Sequence, residues 1–400
     1  MRTPDASVVV VHHRDHERLF EALGALETAC RGGLSAEVLV VDNASRMPVD
    51  EMLRRFPTIR RITAPRNVGF AAGCRLGSEA ARGRSLVFVN DDAVVEPDAV
   101  SLLVGALDRS DADVVAVAGR LTDPSGQRND FFDGFLTFDG HAFQSDVGRP
   151  VGALPEALPG EERLFACGGL MAVRRAEFIS SGGFDDDYFA YLEDVDFGWR
   201  QWIFGRRIVA EPRASARHRG GATGEALGIF SRGYLFEKNA FATAYKNFDR
   251  DHFIALMPSV LAAFLIRISE MLASRNPGAG ELARDPYAEP PAAPPLLRRI
   301  LGISTPAHAP VRVDDPLTLA HLKALLWIHR NQEALAAKRR AVQSRRRRCD
   351  SEIFARFPLR LVPTYPGDER LDADFFGEFL AKAPELVRTT LDQIFVGVGR

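Results

Sequence analysis

The chain has 400 residues, of which 46 % are hydrophobic and 26 % charged, with a formal net charge of −2. That length holds one large domain with an appendage, or two domains, and leaves room for a sizeable core. The composition excludes a wholly disordered or collagen-like protein, and the near-neutral charge gives no general reason for a nucleic-acid partner.

In chain order, "SVVVVHH" (7–13) is a first strand and "AEVLVVDN" (36–43) a second. Both are continuous, β-branched runs, as strands buried on both faces are. Residues 15–30 between them read as an amphipathic helix through Leu19, Leu23 and Leu26. "RRITAP" gives a short strand, "GFAAGCRLGSEAA" a helix and "SLVFVN" (85–90) another strand. This alternation predicts an α/β doubly wound sheet, whose ligands bind beyond the carboxyl ends of its strands. Those ends carry Asp42 and Asn43, and Asn90, Asp91 and Asp92. No GxGxxG or GxxxxGK[ST] is present, so dinucleotide and P-loop readings have no support. Gly69, Gly73 and Gly77 line one helix face, either for close packing on the sheet or for contact with a ligand.

After about residue 120 the pattern turns irregular, rich in Gly, Phe and Asp, until "FACGGLMAVRRAEF" restores order. A loop-rich middle of this kind often carries selectivity. The uncharged run "FIALMPSVLAAFLI" (253–266) contains Pro258 and falls short of the roughly 18 to 20 residues of a spanning helix. At most a peripheral membrane contact is expected. The N-terminal apolar run is too short for a signal peptide. Cys30, Cys74, Cys167 and Cys349 form no CxxC pair, which suits a reducing cytoplasm.

Four stretches follow: an α/β region to about 250, a hydrophobic or amphipathic helix over 251–275, a Pro/Ala-rich linker over 276–316, and a helical, basic region over 317–400. Asp315-Pro316 supplies a helix start, and that helix runs through Leu319, Leu322 and Leu326 into "KRRAVQSRRRR" (338–348). The basic run is a solvated helix face, a contact for anionic lipid headgroups or a lipid-linked diphosphate, or a nucleic-acid contact. The membrane surface is preferred and nucleic acid is not expected; a homo-oligomer through this tail is left open.

Three clusters carry candidate chemistry. In "YFAYLEDVDFGWRQW" (188–202), Glu193, Asp196 and Arg200 share a helix face, so an Asp196–Arg200 pair with Glu193 beside it reads as structural support. Asp194 lies about 100° around the helix. Its neighbours three and four residues on, Phe197 and Gly198, cannot neutralise it, and Gly198 leaves space for a substrate. An unpaired carboxylate in such a place suits a general base. In "VFVNDDAVV", adjacent carboxylates suit a shared cation such as Mg²⁺ or Mn²⁺, or else an Asx-type turn. In "ARHRGGAT", His218 is a solvated loop residue, a metal ligand or a diphosphate contact.

In this order, "SVVVVHHRD", "VVDNAS", "PRNVGFAAGCRLG", "FVNDDAVVEPDA", "CGGLMAVRRAEFISSGGFDDDYFAYLEDVDFGWR", "RHRGGAT" and "RGYLFEKNAF" resemble the family 2 glycosyltransferases of bacterial polysaccharide synthesis, particularly the rhamnosyltransferase-like members. The resemblance implies a GT-A fold with a helical C-terminal extension. It implies inverting transfer of a sugar from a nucleotide-diphosphate donor to a glycan or lipid-linked acceptor, with Mg²⁺ or Mn²⁺. His12, Asp42, Asn67, Gly69, Asn90 and Asp91 would line the donor site, Asp92 and His218 would hold the metal, and Asp194 would be the base. His12-His13-Arg14 stand where the family commonly has Thr-Tyr-Asn, and Arg75 where it often has Asn. Two other readings compete: a sugar nucleotidyltransferase, and an inactive glycan-binding scaffold on a transferase fold.

Overall fold

The computed structural model describes residues 3–31, 33–45, 49, 53–220, 222–275, 313–365, 367–368 and 386–394. Most of the expected linker, 276–312, lies outside them.

The apolar runs form strands β1 (Ala6–His12), β2 (Ala36–Asp42), β3 (Arg60–Thr63) and β4 (Ser85–Val89). Between them lie helices α1 (His16–Ala29) and α2 (Gly69–Ala80). Alternate strand residues go to opposite faces. Val8 and Val10 pack in one core with Leu19, Leu23 and Leu26 of α1, and Val9 packs in a second core with Ala71 and Cys74 of α2. Both sheet faces are therefore covered, which is why these strands are apolar throughout. Added Cβ atoms on Gly73 and Gly77 would lie 2.6 Å from Val11 and 2.3 Å from Val9, so these two glycines serve close packing.

Further along come β5 (Ala93–Val95), α3 (Ala99–Arg109), β6 (Val114–Thr122), the short β7 (Asn129–Phe131), β8 (Gly134–Leu136) and β9 (Ala142–Gln144), then β10 (Leu170–Arg174) and α4 (Arg175–Ser180). α5 (Glu193–Ile203) and β11 (Arg207–His218) complete the sheet region. The sheet runs β3-β2-β1-β4-β10-β6-β11-β5, with β7 on β6. β1, β2, β3 and β4 are mutually parallel, β10 is antiparallel to both β4 and β6, and β11 is parallel to β6. Two reversals restore the direction, so β1, β2, β4, β6 and β11 all end at the same edge, where β10 begins. His12, Asp42, Asn90, His218 and the Gly168-Gly169 turn therefore converge there by topology. This mixed sheet between helices is the GT-A fold.

The chain continues into α6 (Ala222–Asn247), kinked at Gly228 (φ 70°), and α7 (Arg250–Arg275). By length and composition Arg250–Ser274 would suffice to cross a membrane, contrary to the shorter run read from sequence. Pro258 does not end the helix, and half of that segment is buried. Leu256, Met257, Val260 and Ala263 belong to the same core as Trp199 and Phe248.

α8 (Pro316–Arg330) starts as expected, with Asp315 accepting from the Thr318 N–H and Pro316 in the first turn. It stops at Asn331, and α9 (Gln332–Gln343) follows as a separate helix. The basic run then wraps the catalytic region instead of facing outward as one charged surface. Lys338 pairs with Asp185 (2.5 Å), Arg339 donates to the Tyr245 and Phe248 carbonyls (2.6 Å each), and Arg346 pairs with Asp350 (3.0 Å). Arg345 and Arg348 lie over the rings of Phe204 and Trp202 and donate to backbone carbonyls. Five of its seven bases thus bond to or stack on the chain itself, while Arg340, Arg345 and Arg347 remain exposed.

Candidate active site

His12, at the end of β1, is fully buried. Its Nδ1 lies 2.7 Å from Asp91 Oδ2 and its Nε2 3.2 Å from His16 Nδ1. Both nitrogens thus have partners within the protein, so His12 supports Asp91 from the core, where a direct donor contact was expected. The Asp91 side chain is 29 % exposed. Asp42 ends β2 and is also buried; its Oδ2 lies 2.6 Å from Arg61 Nη2 and its Oδ1 accepts from the Ser45 N–H. Burial opposes ionisation there, but these bonds outweigh it and hold the carboxyl below its usual range.

Beside Asp42, Asn43 ties down the next turn. Its Nδ2 donates to Asn67 Oδ1 (3.0 Å) and to the Gly69 carbonyl (3.2 Å), while its Oδ1 accepts from the Val68 N–H (2.8 Å). Asn67 Oδ1 also accepts from the Gly69 N–H. Gly69 has φ +85°, and an added Cβ would lie 2.4 Å from the Phe189 carbonyl oxygen. Only glycine fits at this helix start.

The acidic cluster after β4 meets the end of β11. The antiparallel pairing of β11 with β5 sets His218 opposite Ala93, one residue beyond Asp92. His218 Nε2 lies 3.0 Å from Asp92 Oδ1 and 3.1 Å from Asn90 Nδ2. Its Nδ1 lies 2.6 Å from Oδ2 of Asp130, which is on β7. Burial alone would lower this imidazole, but the two carboxylates push it up to about 10. A carboxylate on Nδ1 orients the ring and keeps Nε2 aimed at Asp92, the usual arrangement behind a metal-binding histidine. Asp130 is absent from the sequence reading, because a lone Asp in an irregular, Phe-rich stretch carries no pattern. Arg18 Nη1 approaches Asp92 Oδ2 at 3.7 Å.

In α5 the three acids part company. Asp196, fully buried, pairs with Arg200 (2.9 Å) as its spacing predicts, and also with Lys246 (3.0 Å) and the Asn247 amide (3.0 Å). Glu193 takes no part in that network. It is 6 % exposed, its Oε2 has no hydrogen-bond partner among the described residues, and burial followed by the Asp194 charge pushes its carboxyl up to about 8. Its expected place beside the Asp196–Arg200 pair is therefore corrected.

Asp194 makes no ion pair among the described residues. Its Oδ2 accepts from the Gly168 N–H (3.0 Å) and its Oδ1 from the Val195 N–H (2.8 Å). Burial raises its carboxyl above the usual range despite those two bonds. Gly198 does not open a path to it, because an added Cβ would lie 2.4 Å from Phe165 Cβ and 2.7 Å from the Leu164 carbonyl. That glycine serves packing, contrary to the space for a substrate expected there. The connection to the other cluster runs instead through the turn before β10. Gly168 donates to Asp194, the Gly169 carbonyl accepts from the Asn90 N–H (3.1 Å), and the Asn90 side chain reaches His218. A carboxylate able to take a proton and an Asp–His pair able to take a cation are thus tied to one turn at one sheet edge.

Residues 7–176 match the family described as Glycosyl transferase family 2. This region is a family 2 glycosyltransferase domain. Two bacterial relatives share 26 % identity with the chain. One is the O-antigen biosynthesis protein RfbC of Myxococcus xanthus, aligned over 60 % of this chain and 19 % of its own length. The other is the N-acetylglucosaminyl-diphospho-decaprenol L-rhamnosyltransferase of Mycobacterium tuberculosis, aligned over 53 % of this chain and 75 % of its own. The chain thus spans only about a fifth of the first relative. Among solved structures, the mannosyltransferase PcManGT from Pyrobaculum calidifontis, in complex with GDP-Man and Mn²⁺, aligns with a TM-score of 0.46 and 17 % identity. That alignment covers 81 % of this chain and 87 % of that one.

Proposed function

We propose that this glycosyltransferase moves a sugar, with rhamnose the leading candidate, from a nucleoside-diphosphate donor to a hydroxyl of a bacterial surface glycan or its lipid-linked precursor, in a single inverting displacement. The observation that carries this reading is Asp194, a carboxylate with no cationic partner among the described residues, tied through Gly168-Gly169 to the Asn90–Asp92–His218 cluster. The names of the two bacterial relatives support the substrate class.

Inversion needs one base and no protein nucleophile. Asp194 accepts the proton of the attacking acceptor hydroxyl, and its raised affinity for protons suits that task. The Gly168 and Val195 N–H groups hold the carboxylate while it waits. Asp42 would accept a ring N–H of the nucleotide base, with Arg61 and Ser45 fixing its direction. Asn67 and Gly69 line the same donor side. Asp92 Oδ1 and His218 Nε2, 3.0 Å apart, would hold Mg²⁺ or Mn²⁺, and the donor set of one carboxylate and one oriented imidazole fits such an ion with diphosphate oxygens completing the shell. When bound there, the ion neutralises charge developing on the departing diphosphate.

The test is Asp194→Asn. Transfer is expected to fall by about 10²–10⁴-fold while nucleotide binding persists. Transfer near the wild-type rate would remove Asp194 as the base.

A further inference from the structure

The stretch RGYLFEKNAF (232–241), on α6, plays no part in the chemistry above, yet several of its residues grip one loop. Residues 187–192 lead directly into α5. Three of them, Phe189 (φ 65°), Tyr191 (φ 71°) and Leu192 (φ 64°), are left-handed without being glycine, and Leu192 is the N-cap residue of the helix that bears Asp194. Each such conformation costs about 1–3 kcal/mol and persists only where the surroundings over-determine it.

The surroundings are supplied chiefly by α6. Asn239 is fully buried, and its Nδ2 donates to the carbonyls of Tyr188 (3.1 Å), Ala190 (2.9 Å) and Tyr191 (2.7 Å). Lys238 Nζ donates to the Asp187 carbonyl. The Phe236 ring stacks on Tyr191 with centroids 4.6 Å apart. One and two turns further on, Thr243 bonds the Tyr188 hydroxyl (2.7 Å) and Lys246 reaches Asp185 (2.7 Å). On its other side the loop meets the donor turn, where the Phe189 carbonyl accepts from the Ala71 N–H (3.2 Å) and lies against Gly69. The strained loop is thus held between the donor turn and a helix that lies beyond the matched family region.

We propose that Asn239, aided by Phe236 and Lys238, is a positioning residue: by fixing the carbonyls of residues 188–191 it sets the start of α5 and thereby the place of the Asp194 carboxylate. The inference rests on Asp194 being the base. An alanine at 239 leaves three inward-facing carbonyls without their shared donor, and the strained turn then relaxes. A displacement of about 1 Å at a reacting group is enough for a loss of about 100-fold.

The experiment uses the full chain with Asn239→Ala and Phe236→Leu, and measures kcat, donor KM, nucleotide affinity by calorimetry and thermal midpoint. The expected result for Asn239→Ala is a kcat reduced about 100-fold, with donor KM and nucleotide affinity close to wild type. Phe236→Leu keeps an apolar side chain on Tyr191 and is expected to show a smaller fall of the same kind; it carries the test if Asn239→Ala does not fold. Unchanged kcat in folded variants would overturn the proposal. So would a parallel fall in kcat, nucleotide affinity and thermal midpoint, which marks a purely structural clamp. Asp194→Asn is run beside them: if it retains transfer, the base assignment fails, whereas an inactive Asp194→Asn with a fully active Asn239→Ala defeats the clamp alone.

Discussion

Replacing Asp196 by Asn withdraws the negative charge from a fully buried network in which Arg200 Nε lies 2.9 Å away and Lys246 Nζ 3.0 Å away. Breaking a buried pair by removing one partner costs about 3–5 kcal/mol. Here the lower end applies. Lys246 keeps Asp185 at 2.7 Å, and Arg200 keeps the Ser181 and Gly183 carbonyls at 2.9 and 2.6 Å. The expected loss is therefore about 3 kcal/mol.

Asp194→Asn is expected to do the opposite. Burial raises the Asp194 carboxyl with no cation among the described residues to offset it, so its charge subtracts from stability at neutral pH and an amide relieves that. The pH dependence separates them too. Asp196 is held below its usual range by Lys246 and Arg200 against the effect of burial. Its stabilisation is full above the unfolded pKa of about 3.9 and is lost as pH falls through the lower folded value. The assay is urea denaturation at pH 7 of wild type and both variants, beside a transfer assay. Asp196→Asn at wild-type stability would refute the network. Asp194→Asn destabilised as much as Asp196→Asn would refute the claim that Asp194 is unpaired.

Two further outcomes follow from the same geometry. Burial and the Asp194 charge push Glu193 up to about 8 in the folded chain, against about 4.3 unfolded. Stability from this group is therefore present at low pH and declines as pH rises between those two values. Glu193→Gln should flatten that slope in thermal midpoints measured from pH 5 to 9; identical slopes would contradict the assignment. Gly69→Ala sets a Cβ 2.4 Å from the Phe189 carbonyl at a φ of +85° and should destabilise by about 1–3 kcal/mol while weakening nucleotide binding. Calorimetry beside a melting curve checks this, and wild-type values in both would contradict it.

The sheet was legible because strands buried on both faces leave continuous β-branched runs, as in residues 7–12 and 36–42. The unpaired state of Asp194 was legible as well, since the absence of a basic residue at three or four positions along a helix is a local fact. Long-range partners were not. Gly198 opens nothing because Phe165, thirty-three positions earlier, closes over it. Glu193 shares a helix face with Asp196 yet misses the ion network, whose Lys246 comes from α6. The internal partners of the basic run were hidden because they are largely backbone carbonyls and aromatic rings, which leave no charge pattern in sequence. Asp130 is known only through the ring it orients.

Calorimetric titration of the full chain with UDP, dTDP and GDP, with and without Mn²⁺, tests the central claim most directly when wild type is run beside His218→Ala. The account predicts that one nucleotide binds, that binding depends on the metal, and that His218→Ala abolishes the dependence. No binding of any nucleotide by folded protein with metal present, or metal-dependent binding that survives His218→Ala unchanged, would contradict it.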